Sequence, residues 1–318
     1  MEILSLEEFR DTGKRSALAL GFFDGVHRGH QKVLAGAVEL ARHNGLAPIV
    51  FTFINHPAEI TRHDRAPLLI SDYARRAELI SGTGIEYLVA RKFDIEFSSI
   101  SPGDFIFHII KEQLRADFIT VGRNYSFGRR AKGTPALLGK LQDLCEYKLI
   151  VEEPVRQGGI VISSSAIRSL ISRGDLKTAS AMLGRPFTLK GTVIPGTGRG
   201  EKLGFPTANI DYPERIIRPP HGVFAVRARL DGEWLDSVAN FGGAPTFEND
   251  NMRKNLLEIH VIDRTLNLYN KEIEVAFIEF LRPLVKFDDS GLLSEQIKKD
   301  CENARAILKN NSTSEVYT

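Results

Sequence analysis

Cysteine, tryptophan and methionine are scarce in this chain of 318 residues, with two, one and three copies respectively. The two cysteines, Cys145 and Cys301, stand far apart and outside any CxxC or Cys/His cluster, which excludes a zinc site and a disulfide framework and fits a reducing cytoplasm. An excess of one charge is also lacking. With 42 Lys and Arg against 40 Asp and Glu, the net charge of +2 is too small for the basic footprint of a general nucleic-acid binder, so any anion is gripped locally. The longest near-apolar run, Ala17 to Phe23, is too short to span a bilayer, and the opening MEILSLEEFRDTGKR lacks the apolar core of a signal peptide. No repeat recurs at solenoid spacing. Nor is there a GxxxxGK[ST] phosphate loop, since Gly128 to Thr134 has two glycines at that spacing but no lysine.

The remaining composition, 42% hydrophobic and 26% charged, is that of a globular protein. A prior of about 150 residues per domain divides it in two. Residues 1 to 184 alternate strand-like and helix-like segments. Ser16 to Phe22 is followed by a helical stripe of Val33, Leu34, Ala37, Leu40 and Ala41 stopped by Gly45, then by the apolar strand Pro48 to Phe53. Ser71 reads as an N-cap, Tyr87 to Ala90 as a strand, and Ser101-Pro102 as the start of a helix bearing Phe105, Ile106, Ile109 and Ile110. Phe118 to Gly122 and Leu149 to Val151 are further strands. Thr134-Pro135 opens a helix through Leu137, Leu138, Leu141 and Leu144, and Ser165 to Ser172 is helical. This is an α/β unit with a parallel sheet. From residue 187 to 318 the texture changes to strands at Phe187 to Ile194, Gly222 to Leu230, Leu256 to Ile262 and Ile273 to Leu281, expected to form a closed or partly closed antiparallel barrel. A final helix, Ser290 to Lys309, lays Leu293, Ile297, Cys301, Ala304 and Leu308 against it, and the tail NNSTSEVYT is expected to fray.

Three stretches of the first half carry chemistry. Gly21-Phe22-Phe23-Asp24-Gly25-Val26-His27-Arg28-Gly29-His30 joins the first strand to the first helix, and helix N-termini favour phosphate through their backbone N–H groups and dipole. His27 and His30 can donate to phosphoryl oxygens as charge builds on a leaving pyrophosphate, while Gly29 admits the nucleotide close to the backbone. Ile162-Ser163-Ser164-Ser165-Ala166-Ile167-Arg168 offers capping serines and an arginine able to fork onto phosphate oxygens. Gly122-Arg123-Asn124-Tyr125-Ser126-Phe127-Gly128 follows a strand end, where α/β sheets hold ligands, although its aromatic residues equally suit loop packing. In the second half, Gly196, Gly198 and Lys202 lie in a glycine-rich run suited to an anion-binding concavity. That run ends Leu203-Gly204-Phe205-Pro206-Thr207-Ala208-Asn209, with Thr207 and Asn209 as hard oxygen ligands suited to Mg²⁺.

GFFDGVHRGH, ITVGRNYSFG and ISSSAIR, in that order, resemble the adenylyltransferase module of the bacterial bifunctional riboflavin kinase and FAD synthetase family. LGFPTAN is similar to the signature of its riboflavin kinase domain. The resemblance covers nearly the whole chain. It implies an FMN adenylyltransferase domain over residues 1 to 184 and a riboflavin kinase domain over 187 to 318, using ATP, riboflavin, FMN and Mg²⁺, without nucleic-acid or membrane partners. It implies catalytic roles for His27, His30 and Arg168, and nucleotide contacts at Gly21, Phe22, Phe23, Asp24, Gly25, Gly29, Asn124, Ser163, Ser164, Ser165, Gly196, Gly198, Lys202 and Pro206. Thr207 and Asn209 then help to hold the metal. Leu257-Glu258-Ile259-His260-Val261 matches the strand bearing the kinase's general base. Glu258 alternates there with two apolar neighbours, so it can face a pocket and take a proton from a substrate hydroxyl. The chain departs from the family at Asn55, where proline is usual in TFxPHP, and at Ala244, where arginine is frequent. These departures leave a second reading, a flavin- or nucleotide-binding regulator or carrier with reduced turnover. HxGH alone is shared with other nucleotidyltransferases and with class I aminoacyl-tRNA synthetases.

Overall fold

The apolar runs of the first half become strands of one parallel sheet. β1 (Glu2–Leu4), β2 (Ser16–Leu20), β3 (Ala47–Phe53), β4 (Tyr87–Arg91), β5 (Ala116–Gly122) and β6 (Lys148–Glu152) lie in the order β1-β4-β3-β2-β5-β6. The computed structural model describes residues 1–62, 65–196, 200, 204–242, 256–264, 266, 268–287 and 289–310. All five residues of β2 are buried, as a central strand covered on both faces requires. Alternate residues divide between two cores, with Leu18, Leu20, Phe51 and Val89 in one and Ala19, Val50 and Leu88 in the other. β1, Glu-Ile-Leu, escapes the sequence pattern because three residues are too few to show an alternation; its pairing with Tyr87 to Val89 makes it a strand.

Two of the expected helix starts hold, with Ser101 and Thr134 capping helices that carry Pro102 and Pro135 in their first turn. The helix from Ser101 then widens into a π-helix, Phe105–Gln113, in which Leu114 N–H donates to the carbonyl of Ile109 five residues back. Ser71 is not an N-cap. Asp72 caps the helix Tyr73–Ser81, while the buried Ser71 hydroxyl accepts the Gly25 N–H at 3.1 Å. Leu144 lies beyond the helix Pro135–Leu141 and is 69% exposed, since the chain has already left the helical register. A two-stranded hairpin, β7 (Arg156–Gln157) and β8 (Ile160–Val161), leads out of the sheet.

The chain divides into two compact units, Met1–Ser164 and Ser165–Thr318. In the second, β9 (Phe187–Ile194), β10 (Ala208–Asp211), β11 (Gly222–Leu230), β12 (Glu233–Phe241), β13 (Leu257–Val261) and β14 (Glu272–Arg282) form a closed antiparallel barrel in the order β10-β13-β12-β11-β14-β9. Pairing of β9 with β10 closes it and leaves no edge. β10 and β12 were not read from sequence, because one is four residues long behind a glycine-rich loop and the other interleaves Asp236, Ser237 and Asn240 with its apolar residues. The helix Leu176–Leu183 packs on β9 and β14. The last helix, Ser290–Asn310, lays Cys301, Ala304 and Leu308 against Val223, Ala225 and Val238. It is clamped by the Arg282 guanidinium, which forks onto the buried Asp300 carboxylate with contacts of 2.7 to 3.1 Å. The tail 311–318 lies outside the described residues.

Candidate active sites

In the sheet order, the chain leaves β2 toward β3 on one side and returns at β5 on the other, and open α/β sheets bind ligands at such a switch point beyond the carboxyl ends of the strands. The loop after β2 and the turn after β5 are the two segments there. After Leu20 the backbone turns through Phe23 (φ 58°) and Gly25 (φ +76°) in a 3₁₀ turn, Asp24–Val26, before the helix Arg28–Asn44 begins. Gly25 is required twice over, because a Cβ would strain the positive φ and would sit 2.8 Å from the Ile70 side chain.

His27 is itself the N-cap, a role its sequence position did not reveal, and its Nδ1 accepts the His30 N–H at 3.2 Å. That bond places the proton of neutral His27 on Nε2. The two imidazoles are stacked, 3.6 Å between centroids and 15° between planes, with Phe23 edge-on to His30 at 5.3 Å. Burial, then the His27 ring and the Arg76 guanidinium, hold the His30 pKa well below its usual value, and its Nδ1 is buried without a hydrogen-bond partner. His30 is therefore neutral at physiological pH. A Cβ on Gly29 would lie 3.2 Å from the His27 ring, so glycine lets the stacked pair form at the helix start.

Two segments fix this loop. Asp24 Oδ1 accepts the N–H groups of Ile70 and Ser71 at 2.8 and 3.2 Å, and the Ser164 hydroxyl donates to the Asp24 carbonyl at 3.1 Å. Ser164 thus braces the loop through its backbone, a contact that the reading of these serines as caps and nucleotide ligands did not include. Ser163 precedes it, while Ser165 and Arg168 belong to the second compact unit, where Arg168 donates to the Ser165 hydroxyl at 3.2 Å. Phe22 is tied to the end of β3, since Thr52 donates to its carbonyl at 3.2 Å and His56 meets its ring edge-on at 4.6 Å. Asn55, the departure from the family pattern, bonds both backbone groups of Phe93 at 3.0 and 2.8 Å, so it staples the segment where proline would have stiffened it. Asn124 is exposed in the turn after β5, closed by Tyr125 N–H to Gly122 carbonyl at 3.0 Å. Tyr125 and Phe127 stack on each other at 5.7 Å and Phe127 packs at a tilt on Phe105 at 5.1 Å, which makes those aromatics packing groups.

In the barrel, strand register assembles a second cluster. Asn209 on β10, Glu258 on β13 and Asn240 on β12 are direct neighbours across three adjacent strands. Leu257, Ile259 and Val261 are buried while Glu258 is half-buried, the alternation the sequence predicts. Asn240 Nδ2 donates to Glu258 Oε2 at 3.2 Å, and Asn240 Oδ1 is buried without a partner. Asn240 was not singled out from sequence. The available signal was its place at the head of the run Asn240 to Phe247, which resembles a later segment of the riboflavin kinase domain.

Asn209 is buried and packs so closely on Gly196 that a Cβ there would lie 1.9 Å from its Nδ2. Pro206 offers its carbonyl to the His260 Nδ1–H at 2.9 Å, which holds the Phe205-Pro206-Thr207 segment against β13. Thr207 is exposed beside Gly200. Gly198, Lys202 and Ala244 lie outside the described residues. Among the described residues no group of three His, Cys, Asp or Glu could cage a metal. A hydroxyl and an amide oxygen do fit Mg²⁺, which keeps water and substrate phosphates as its other ligands.

Comparison with known proteins matches both units. The FAD synthetase family model matches residues 10–166 and the riboflavin kinase family model residues 183–308. Proteins named bifunctional riboflavin kinase/FMN adenylyltransferase from Listeria monocytogenes and Bacillus subtilis are 34% and 36% identical, covering 96% of both chains and 93% of both chains respectively. The Escherichia coli K12 protein of that name is 32% identical over 92% of both. A crystal structure described as a macrolide-efflux protein from Streptococcus pneumoniae shares the fold with a TM-score of 0.84, at 28% identity, covering 96% of this chain and 99% of that one. Among the described residues no helix is long and apolar enough to cross a membrane. The two family matches, in this order along one chain and with relatives alike over nearly their full length, show that the chain belongs to the bifunctional riboflavin kinase/FMN adenylyltransferase family.

Proposed function

We propose that the barrel phosphorylates riboflavin to FMN with ATP and that the parallel-sheet unit transfers AMP from ATP to FMN, releasing FAD and pyrophosphate. The observation that carries this reading is the presence of two built clusters, one in each matched region: the stacked His27 and His30 at a helix N-terminus, and Glu258 in register between Asn209 and Asn240.

In the first unit, the backbone N–H groups at the start of the helix Arg28–Asn44 receive phosphate oxygens, and His27 and the neutral His30 donate as negative charge grows on the leaving pyrophosphate. A neutral His30 suits this work, because two protonated rings stacked at 3.6 Å would repel each other. Gly21, Phe22, Phe23, Asp24, Gly25 and Gly29 shape the nucleotide's backbone contacts, and Ser163, Ser164, Ser165 and Asn124 belong to the segments we assign to it. Arg168 is assigned a phosphate contact from its place in ISSSAIR.

In the barrel, the Glu258 carboxylate, steadied by Asn240, takes the proton of the ribityl 5′-hydroxyl as that oxygen attacks the γ-phosphate of ATP. Thr207 and Asn209 would hold Mg²⁺, which when bound neutralises charge on the transferring phosphate. Gly196, Gly198, Lys202 and Pro206 lie in the run assigned to the nucleotide. We assign the functional boundary to residues 184–187, in keeping with the riboflavin kinase match beginning at residue 183. The localisation that suits these substrates is the cytoplasm. The test is chromatography of the flavins formed from riboflavin, ATP and Mg²⁺ by the full chain. Bound flavin without ATP consumption would favour the regulator reading.

A further inference from the structure

The helix Tyr73–Ser81 turns Tyr73, Ala77 and Ile80 toward the core, and Arg76 lies on the same face. Its side chain is fully buried. One guanidinium nitrogen, Nη2, donates to the carbonyls of Phe53 and Ile54 where β3 ends, and the guanidinium lies 4.1 Å from the centre of the Phe22 ring. The other two nitrogens, Nε and Nη1, are buried with no hydrogen-bond partner. Burial lowers its pKa to about 10, so the group stays cationic at neutral pH. The Asp24 and Asp72 carboxylates attract it through space, but neither hydrogen-bonds to it, since Nη2 serves the two carbonyls and Nε and Nη1 have no partner.

A buried cation with unused donors is a poor way to hold two loops together, because an apolar side chain of similar volume would avoid its desolvation cost. Its position suggests what offsets that cost. Arg76 touches Phe22 from the loop after β2 and Phe53 and Ile54 where β3 ends, and its field reaches His30. We propose that Arg76 is a positioning residue for adenylyl transfer, bracing the Gly21–His30 loop against the Phe53–Pro57 segment and holding beside it a buried positive charge that favours a substrate phosphate anion. This rests on the reading of the His27–His30 loop as the phosphate site.

The test uses the full chain with Arg76→Met, which keeps the stem and removes charge and donors, and Arg76→Lys, which restores charge. Pyrophosphate binding is measured by calorimetry, and kcat and KM are measured for FMN to FAD, with riboflavin to FMN as the internal control. Arg76→Met should weaken pyrophosphate binding and lower the FAD-forming kcat by about 10- to 100-fold, the effect of one charge several ångströms away at an effective dielectric of about 20. Riboflavin phosphorylation should be unchanged, and Arg76→Lys should recover pyrophosphate affinity to within about threefold of the parent. If Arg76→Met fails to show a cooperative melt of the first unit, Arg76→Gln, which keeps an amide donor for the β3 carbonyls without the charge, is measured instead. Pyrophosphate affinity and kcat within about twofold of the parent in a folded uncharged variant would overturn the proposal, as would an Arg76→Lys affinity as low as that of Arg76→Met. His30→Ala separates the two claims. If it keeps parental FAD formation, the phosphate reading falls and takes Arg76 with it; if it is impaired while Arg76→Met is not, only the Arg76 assignment falls.

Discussion

His27 caps a helix with Nδ1, stacks on His30 and keeps its proton on Nε2, so its removal affects both the start of the helix and the donor aimed at phosphate. His30 is the cleaner probe. If the pair stabilises developing charge, His30→Ala should lower the FAD-forming rate by about 10² to 10³ while changing ATP binding much less, because the interaction strengthens in the transition state. The reverse reaction, FAD and pyrophosphate to FMN and ATP, shares that transition state and should lose the same factor in kcat/KM; a raised KM for ATP at unchanged kcat would make the histidine an ordinary ligand. At the other cluster, Glu258→Gln keeps the shape and the Asn240 contact but cannot take a proton. It should reduce FMN formation by about 10² to 10⁴ and leave FMN to FAD conversion intact, as product chromatography with each substrate would show.

Capping residues and apolar periodicity make many elements legible in the sequence: Ser101-Pro102, Thr134-Pro135, Gly45 and the stripe of the last helix all stand where the pattern places them. The failures have one physical character. β1, β10 and β12 are short or polar-interleaved, and they are strands because of what they pair with, which a local window does not contain. Ser71 carries the chemistry of a cap but spends its hydroxyl on Gly25, 46 residues away. Arg76 left one signal, a charge on an inward helical face, and Asn240 left its place at the head of a run that resembles the kinase domain without a role attached to it. The clamp on the last helix belongs to this scale. Asp300→Ala leaves Arg282 without its partner at a largely buried site, and should destabilise the second unit by about 3 to 5 kcal/mol, seen as a lower denaturation midpoint of the barrel alone. An unchanged midpoint would mean that the apolar stripe of Cys301, Ala304 and Leu308 suffices.

Over the whole molecule, sequence conveyed the α/β unit, the barrel and the motifs, while the geometry that joins them had to be seen: the stacking of the histidines, the register of Asn209, Glu258 and Asn240, and the staple by which Asn55 replaces proline. The division into compact units also yields a comparison of fragments. Residues 187–318 contain the closed barrel and its last helix and should make FMN alone. Residues 165–318 should do so with a higher melting temperature, because the helix Leu176–Leu183 buries Leu176, Ala179, Met182 and Leu183 in that unit. Equal melting temperatures would show that this helix adds nothing to the barrel. The most direct measurement of the central claim is a chromatographic time course of the full chain with riboflavin, ATP and Mg²⁺. Riboflavin should fall, FMN should rise and then decline, and FAD should accumulate with pyrophosphate released in equal amount, whereas riboflavin that remains unconverted while bound to folded protein would contradict the account.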